Sequence, residues 1–428
     1  MINFPRFRNA AEPLEERIAP AATFTFMDVD GDMVTITTSK GTDAQLQAAA
    51  LLAASGAGMQ LQTLQFADLA GFEGSNVTID ATQAGAGDGF VHVGYIDATN
   101  IDLGKVLVDG DLGRIDVGHR NFPGAGISQL EVKTLGAAGL ATQAAGGTLL
   151  SSVKGSIGTL TVHGDVTDAQ VEVVRAINHV LIEGSLIGGD EEKSGSIRAG
   201  DNVKDVMITG VIMGGAGLDS GRLSSGAKLS DATINGGIVG GSGESSGQLA
   251  SRRQLVDITV NGGITGGGGL ESGGLATNGA LKKVTVNGDI TGGLGSQSGE
   301  LAATGVITDV EINGSLIGGA GVQSGSIGTE NVTKGVHITG NITGGTGASS
   351  GQIVSKGVVS KITVDGSLIG GSNFETGTIG SLNGVDDITI GTNIIAGTGE
   401  RSGLIVCDAR AKASIGAVKI LGSLLGTP

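Results

Sequence analysis

From Val180 to Cys407 the apolar and polar positions recur with a period of 26 residues, nine times without a slip, which is the signature of a stacked repeat architecture. Two apolar files open each period. Val180, Val206, Ala232, Ile258 and Val284 run on to Ile388, and Ile182, Ile208, Ile234, Val260 and Val286 run on to Ile390. A spacing of two places both on one face of a strand, so both point inward, while the intervening Met207, Thr233, Thr259, Thr285, Glu311 and His337 form a mixed outward file. The chain then bends at Gly184, Gly210, Gly236 and their successors, and a third apolar file follows at Leu186, Ile212, Ile238, Ile264 and Ile290. Next come the run G-G-x-G-x-x-S-G and a fourth file, Ile197 through Ile405. Two residues beyond that file only small side chains occur, from Ala199, Ser225 and Ser251 to Cys407, as a tight inward corner requires. Each period therefore predicts three short strands and three bends, and stacked periods predict three parallel sheets around an aliphatic core.

One period cannot fold alone. Its four large inward side chains, with a fifth at Leu229, Leu255 and Leu281, contribute roughly 1.5–3 kcal/mol each, whereas ordering each backbone residue costs about 1–2 kcal/mol. Neighbouring coils must supply the missing hydrogen bonds and close the core. The prediction is an all-β, right-handed parallel β-helix (β-solenoid) with coils of about 26 residues and a small α+β N-terminal cap, the hand following from the crossover rule. A leucine-rich repeat is the competing architecture, since Leu281-x-x-Val284-x-Val286 fits its opening. It fails on the return limb, because a helix written in glycine loses about 1 kcal/mol per residue.

The inward pairs begin before the strict repeat. Val77 and Ile79, Val106 and Val108, Leu130 and Val132, and Leu160 and Val162 precede Val180 and Ile182 at spacings of 29, 24, 30 and 20 residues. Between Val166 and Val171 the glycine run is shortened while the strand register survives, so that run is an optional lobe on the core. Upstream, residues 23–38 alternate as a hairpin around Asp30-Gly31, and Asp43 is placed to N-cap a helix through about Ala54. The expected organisation is a sorting segment at 1–22, a hairpin-helix cap at 23–75, irregular coils at 76–179 and regular coils at 180–428.

Composition narrows the function. A formal net charge of −16 argues against nucleic acid and anionic membranes, and no stretch reads as a transmembrane helix. The single Cys excludes an intramolecular disulfide framework, and Cys407 reads as a corner filler. No Trp and one Tyr occur, which leaves few platforms for sugar stacking.

The segment Leu14-Glu15-Glu16-Arg17-Ile18-Ala19-Pro20-Ala21 resembles the N-terminal L-E-x-R sorting segment of exported β-strand-repeat surface proteins of planctomycetes and their relatives, and the stretch VHVGYIDATNIDLGKVLVDGDLG resembles their opening coils. The resemblance implies an extracellular or cell-surface location and says nothing of an activity.

Candidate chemistry is sparse. Asp28, Asp30 and Asp32 are calcium candidates, but an EF-hand loop would carry Gly and Glu where Met33 and Ser39 stand, so they read first as a polar turn. The acids Asp190, Glu191, Glu192, Asp219, Glu244 and Glu271 read as a solvated edge of the lobes. The histidines His92, His119, His163, His179 and His337 fall in unrelated columns and form no ligand set. Asn235, Asn261, Asn287 and Asn313 recur before the bend and predict an amide ladder along the axis; Ser220, Ser246, Ser272 and Ser298 predict a second ladder of the same kind. The outward threonines are interrupted by Glu311 and His337, which argues against an ice-binding face. The expectation is a non-enzymatic structural or adhesive solenoid of a bacterial surface or matrix without a cofactor, associating end to end through residues 404–428. The alternative is a carbohydrate-binding or polysaccharide-degrading β-helix, with its site between Phe90 and Phe122 and with Asp102, Asp109, Asp111 and Asp116 as the acids to test.

Overall fold

The computed structural model describes residues 22–119, 124–408 and 413–426. The L-E-x-R segment, Phe122, Thr427 and Pro428 lie outside them. The chain winds into an all-β solenoid of about 13 turns with coils of about 26 residues. A representative regular coil holds a long strand Lys228–Ile234, a two-residue strand Ile238–Val239 and a return strand Gln248–Ser251. Each pairs in parallel with its counterpart one coil on: Ile234 lies opposite Val260, Ile238 opposite Ile264, and Leu249 opposite Leu275. Three parallel sheets result. The four predicted files fill the space between them, and in one coil Val284, Val286, Ile290 and Leu301 are each no more than 1 % exposed.

The fifth inward file stands three residues before the first, at Leu229 and Ala232 for example, an odd spacing that an unbroken strand would send to opposite faces. A left-handed residue resolves the conflict. Asp205, Asp231, Asp257, Lys283, Asp309, Lys361 and Asp387 all have φ between +52° and +58°, and the cross-strand register omits them. Each is a left-handed kink, repeated at the same place in the paired strand so that the register is kept, and it returns the next apolar side chain to the core.

Left-handed backbone in the glycine lobe is not confined to glycine: Asp219, Ser245, Glu271 and Gln297 stand at φ +53° to +56°. Among the lobe glycines the left-handed one is the residue after the serine, Gly247 at +62° for example. The leading pair has another reason to be glycine. A Cβ on Gly240 would lie 2.5 Å from the Gly273 nitrogen and one on Gly241 2.0 Å from the Gly215 carbonyl oxygen, so close stacking of lobes admits no side chain there.

At the N-terminal end, β1 (Ala22–Met27) and β2 (Met33–Thr38) form the predicted hairpin. The helix α1 (Asp43–Ala49) is shorter than expected, and its N-cap is Thr42, not Asp43. The Thr42 hydroxyl accepts from the Gln45 N–H at 3.3 Å while the Gln45 side chain accepts from the Thr42 N–H at 3.0 Å, a reciprocal capping box. Ala50–Ala54, predicted to continue the helix, instead lies in β3 (Ala50–Ser55), which pairs antiparallel with β4 (Gly58–Gln65). Strand pairing overrides the helical preference of this alanine-rich run. The strand β2 covers β5 (Ser75–Thr82) in antiparallel fashion, and β4 pairs in parallel with β6 (Val93–Thr99), so the parallel stack begins before residue 76. Phe66 and Phe72, both fully buried with ring centroids 4.5 Å apart, plug the open core at this end together with Leu46.

Downstream the irregular coils keep the register read from the sequence. Val77 stands opposite Val106 in β7 (Leu103–Gly118), Val106 opposite Leu130 in β8 (Gly126–Leu135), Leu130 opposite Leu160, and Leu160 opposite Val180.

Candidate functional site

The acidic hairpin tip is a clamp. Asp28 Oδ1 accepts from the N–H groups of Asp30, Gly31 and Asp32 at 3.3, 3.1 and 2.8 Å. Asp32 accepts from Ala84 and Gly89 at 2.6 Å each, and Asp30 accepts from Asp88 at 3.0 Å. The three carboxylates face one another closely enough to surround an ion, but their oxygens already tie the hairpin to the 84–89 loop. Burial, followed by a hydrogen bond with Asp30, pushes the Asp28 carboxyl up to about 6.

The asparagine column is a continuous ladder. Asn261 Nδ2 donates to Asn235 Oδ1, Asn287 to Asn261 and Asn313 to Asn287, each at 2.7 Å. The serine column is not, which corrects the expectation for Ser220, Ser246, Ser272 and Ser298. Each hydroxyl closes its own lobe: Ser272 Oγ accepts from the Gly267 N–H at 3.0 Å and donates to the Gly269 carbonyl at 2.8 Å. The lobe turns so tightly that its own backbone groups reach the hydroxyl before a neighbouring coil does. Ser220 caps Gly215, Ser246 caps Gly241 and Ser298 caps Gly293 in the same way.

Several histidines do meet carboxylates on adjacent coils. His163 sits between Glu131 and Glu183 at 3.0 Å from each, His179 bonds Asp205 at 2.8 Å, and His337 bonds Asp365 at 3.0 Å. His119 joins Glu73 at 3.2 Å in a group with Asp102, a set of potential ligands where the columns predicted none. These three come from corners and loops of unequal length, so no column aligned them in the sequence.

Of the acids expected to carry a sugar site, Asp109, Asp111 and Asp116 are held in turns and ion pairs, while Asp102 Oδ1 is buried without a partner. Asp109 pairs with Lys133 at 3.3 Å. Asp111 accepts from Thr134 Oγ1 and from the Ala137 and Ala138 N–H groups. Asp116 accepts from the Tyr95 hydroxyl at 2.8 Å and from the Ser152 N–H at 2.9 Å. The Tyr95 ring is itself covered by Arg114 at 3.7 Å, so it offers no open platform. Phe90 is exposed, beneath the Lys133 ammonium.

A long concave feature lies elsewhere, on the regular coils. Two adjoining depressions of about 410 and 450 Å³ share Gln248, Glu271, Ala276 and Asn278 and together form one groove along the axis. Its floor is the outward face of the return strands. Along it run the small residues Ser224, Ala250, Ala276, Ala302 and Gly328, and beside them the file Arg222, Gln248, Gly274, Glu300 and Gln352. The lobes form one wall, with Asp219, Glu271, Gln297 and Gln323, and the corners form the other, with Asn278, Thr304 and Glu330. Gln248 is 2 % exposed; its Nε2 donates to the Glu271 carbonyl of the next coil while its Oε1 has no partner. Burial, with a further push from Glu271 and against a hydrogen bond from Ser326, raises the Glu300 carboxyl to about 8. The signal for this groove was in the sequence: an outward strand file that reads Ser, Ala, Ala, Ala, Gly is small where a solvated face carries long polar side chains. No family model, curated protein or solved structure matches the chain.

Proposed function

We propose that the chain is a non-enzymatic structural or adhesive solenoid of a bacterial cell surface or matrix. The observation that carries this reading is the unbroken stack itself: three parallel sheets, an amide ladder and a repeated lobe clamp make a rod whose cross-section stays constant coil after coil. Three of the four candidate acids of the irregular coils support it, because Asp109, Asp111 and Asp116 are spent on turns and ion pairs. The surface location rests on the resemblance of the N-terminal segment. Among the described residues no helix is long and apolar enough to cross a membrane.

The partner that suits a rod is another copy. Leu421, Leu424 and Leu425 are exposed at the edge formed by Val418–Ile420 and Leu424–Leu425, and strand edges beside an apolar core add further strands. Sedimentation of the chain against a variant with Leu424→Lys and Leu425→Glu tests this, and a strictly monomeric wild-type chain at high concentration counts against it. Fractionation of the source cells with an antibody tests location, where recovery from the cytosol alone overturns the surface reading. A screen against acidic and neutral polysaccharides tests the absence of catalysis, and turnover that disappears on substitution of Asp102 or Asp116 overturns it.

A further inference from the structure

The groove on the regular coils has features a purely mechanical rod does not need. An outward strand face is ordinarily covered by long polar side chains, yet this one is cleared down to Ala250, Ala276, Ala302 and Gly328 over successive coils. Gln248 is buried beside the cleared strip with an amide oxygen that no protein group satisfies, a costly arrangement unless something else bonds it. Seven return strands, from Ser196 to Gln352, contribute to the groove, and at about 4.8 Å per coil they span roughly 30 Å. The occupant is therefore long and thin.

Its chemistry follows from the walls. The lining carries Lys193, Arg198, Arg222, Arg252 and Lys356 beside Asp219, Glu271 and Glu330, with Arg222 paired to Asp219 and Lys356 to Glu330, so the charges largely offset one another and no strongly charged polymer is selected. A peptide added as a strand needs an open sheet edge, but the return strands of these coils are paired on both sides. What remains is flat, weakly apolar floor flanked by amides and the Glu300 carboxyl, which suits rings with apolar faces and hydroxyl rims.

We propose that this groove binds a neutral polysaccharide chain lying along the solenoid axis, with the ring faces on Ala276 and Ala302 and hydroxyl groups bonded by Gln248, Asn278 and Glu300. The inference is independent of the structural reading, since a rod can carry such a groove or lack it.

The test is titration calorimetry of the full chain with neutral hexasaccharides of glucose, mannose and xylose in different linkages, beside an oligogalacturonate and an uncharged extended peptide. Two variants accompany it: Ala276→Trp, which fills the floor from outside the core, and Thr285→Trp on a different sheet, with melting curves verifying that both fold. A neutral hexasaccharide is expected to bind, with affinity reduced at least about tenfold by Ala276→Trp and unchanged by Thr285→Trp. The trisaccharide is expected to bind more weakly. Three results overturn the assignment: no neutral hexasaccharide binds, binding survives Ala276→Trp in a folded chain, or the oligogalacturonate or the peptide binds more tightly. None of these touches the rod reading, and turnover of a bound sugar refutes the non-enzymatic reading while leaving the groove in place.

Discussion

Thr333 occupies the inward file that Leu229, Leu255, Leu281, Ile307 and Val359 fill in other coils, and its buried hydroxyl has no hydrogen-bond partner. An unmet buried hydroxyl costs about 1–3 kcal/mol, and valine has nearly its shape. Thr333→Val is therefore expected to raise the midpoint of thermal unfolding, and a lower midpoint shows that an unseen partner satisfies the hydroxyl. The opposite error is more damaging. Ile290→Asp places a carboxylate where exposure is 0 % and is expected to cost on the order of 4 kcal/mol or more. Thr285→Asp, on the outward face opposite Glu311, is expected to cost about 1 kcal/mol or less. Denaturant melts that rank the pair equally refute the inward assignment.

Among the elements, the long strand depends on its left-handed residue. Lys283 holds φ +55°, a conformation that costs roughly 1–2 kcal/mol for a residue with a Cβ. Lys283→Gly relieves that strain, and Gly335 already stands at the equivalent place in a later coil at φ +74°. Lys283→Ile adds β-branching where the backbone is left-handed. The glycine variant is expected to melt at or above wild type and the isoleucine variant below it; the reverse order rules out the left-handed kink. At the cap, the Thr42–Gln45 box stops α1 from starting later, and the β3–β4 pairing stops it from running on. Local propensity was a poor guide there, because the deciding hydrogen bonds come from residues 58–65, across the hairpin.

For the whole molecule, pH is the global variable. Glu300 is raised from 4.5 to about 8 and Asp28 from 3.8 to about 6, both chiefly by burial. Between the ordinary and the raised value the folded chain binds more protons than the unfolded one, so each makes stability fall as pH rises through that window. His163, raised by its bonds to Glu131 and Glu183, acts in the same sense: its contribution is complete below 6.5 and fades as pH climbs through its raised value. Glu131, lowered by His163, and Asp30, lowered by Asp28, contribute above their ordinary values and lose that contribution as pH falls. The expected optimum is therefore mildly acidic, with the melting temperature declining from about pH 5 toward pH 9. Glu300→Gln is expected to flatten the decline between pH 5 and 8, and an unaltered slope shows that Glu300 is ionised in the folded chain.

The sequence alone determined the solenoid, its 26-residue coil and even the register of its irregular coils, because a repeated core demands the same apolar positions in every layer and stacking leaves them nowhere else to point. The amide column at Asn235, Asn261, Asn287 and Asn313 was legible for the same reason. Tertiary structure decided what depends on distances between coils or on loops of unequal length. It turned the serine hydroxyls into lobe clamps, put left-handed backbone at Asp257 and Glu271, which are not glycine, and gathered Glu73, Asp102 and His119 from separate corners. It also made a groove of Gln248, Ala276 and Glu300, since a cavity is defined by how far the lobes and corners rise above the strand between them, and that height is set by the packing of neighbouring coils.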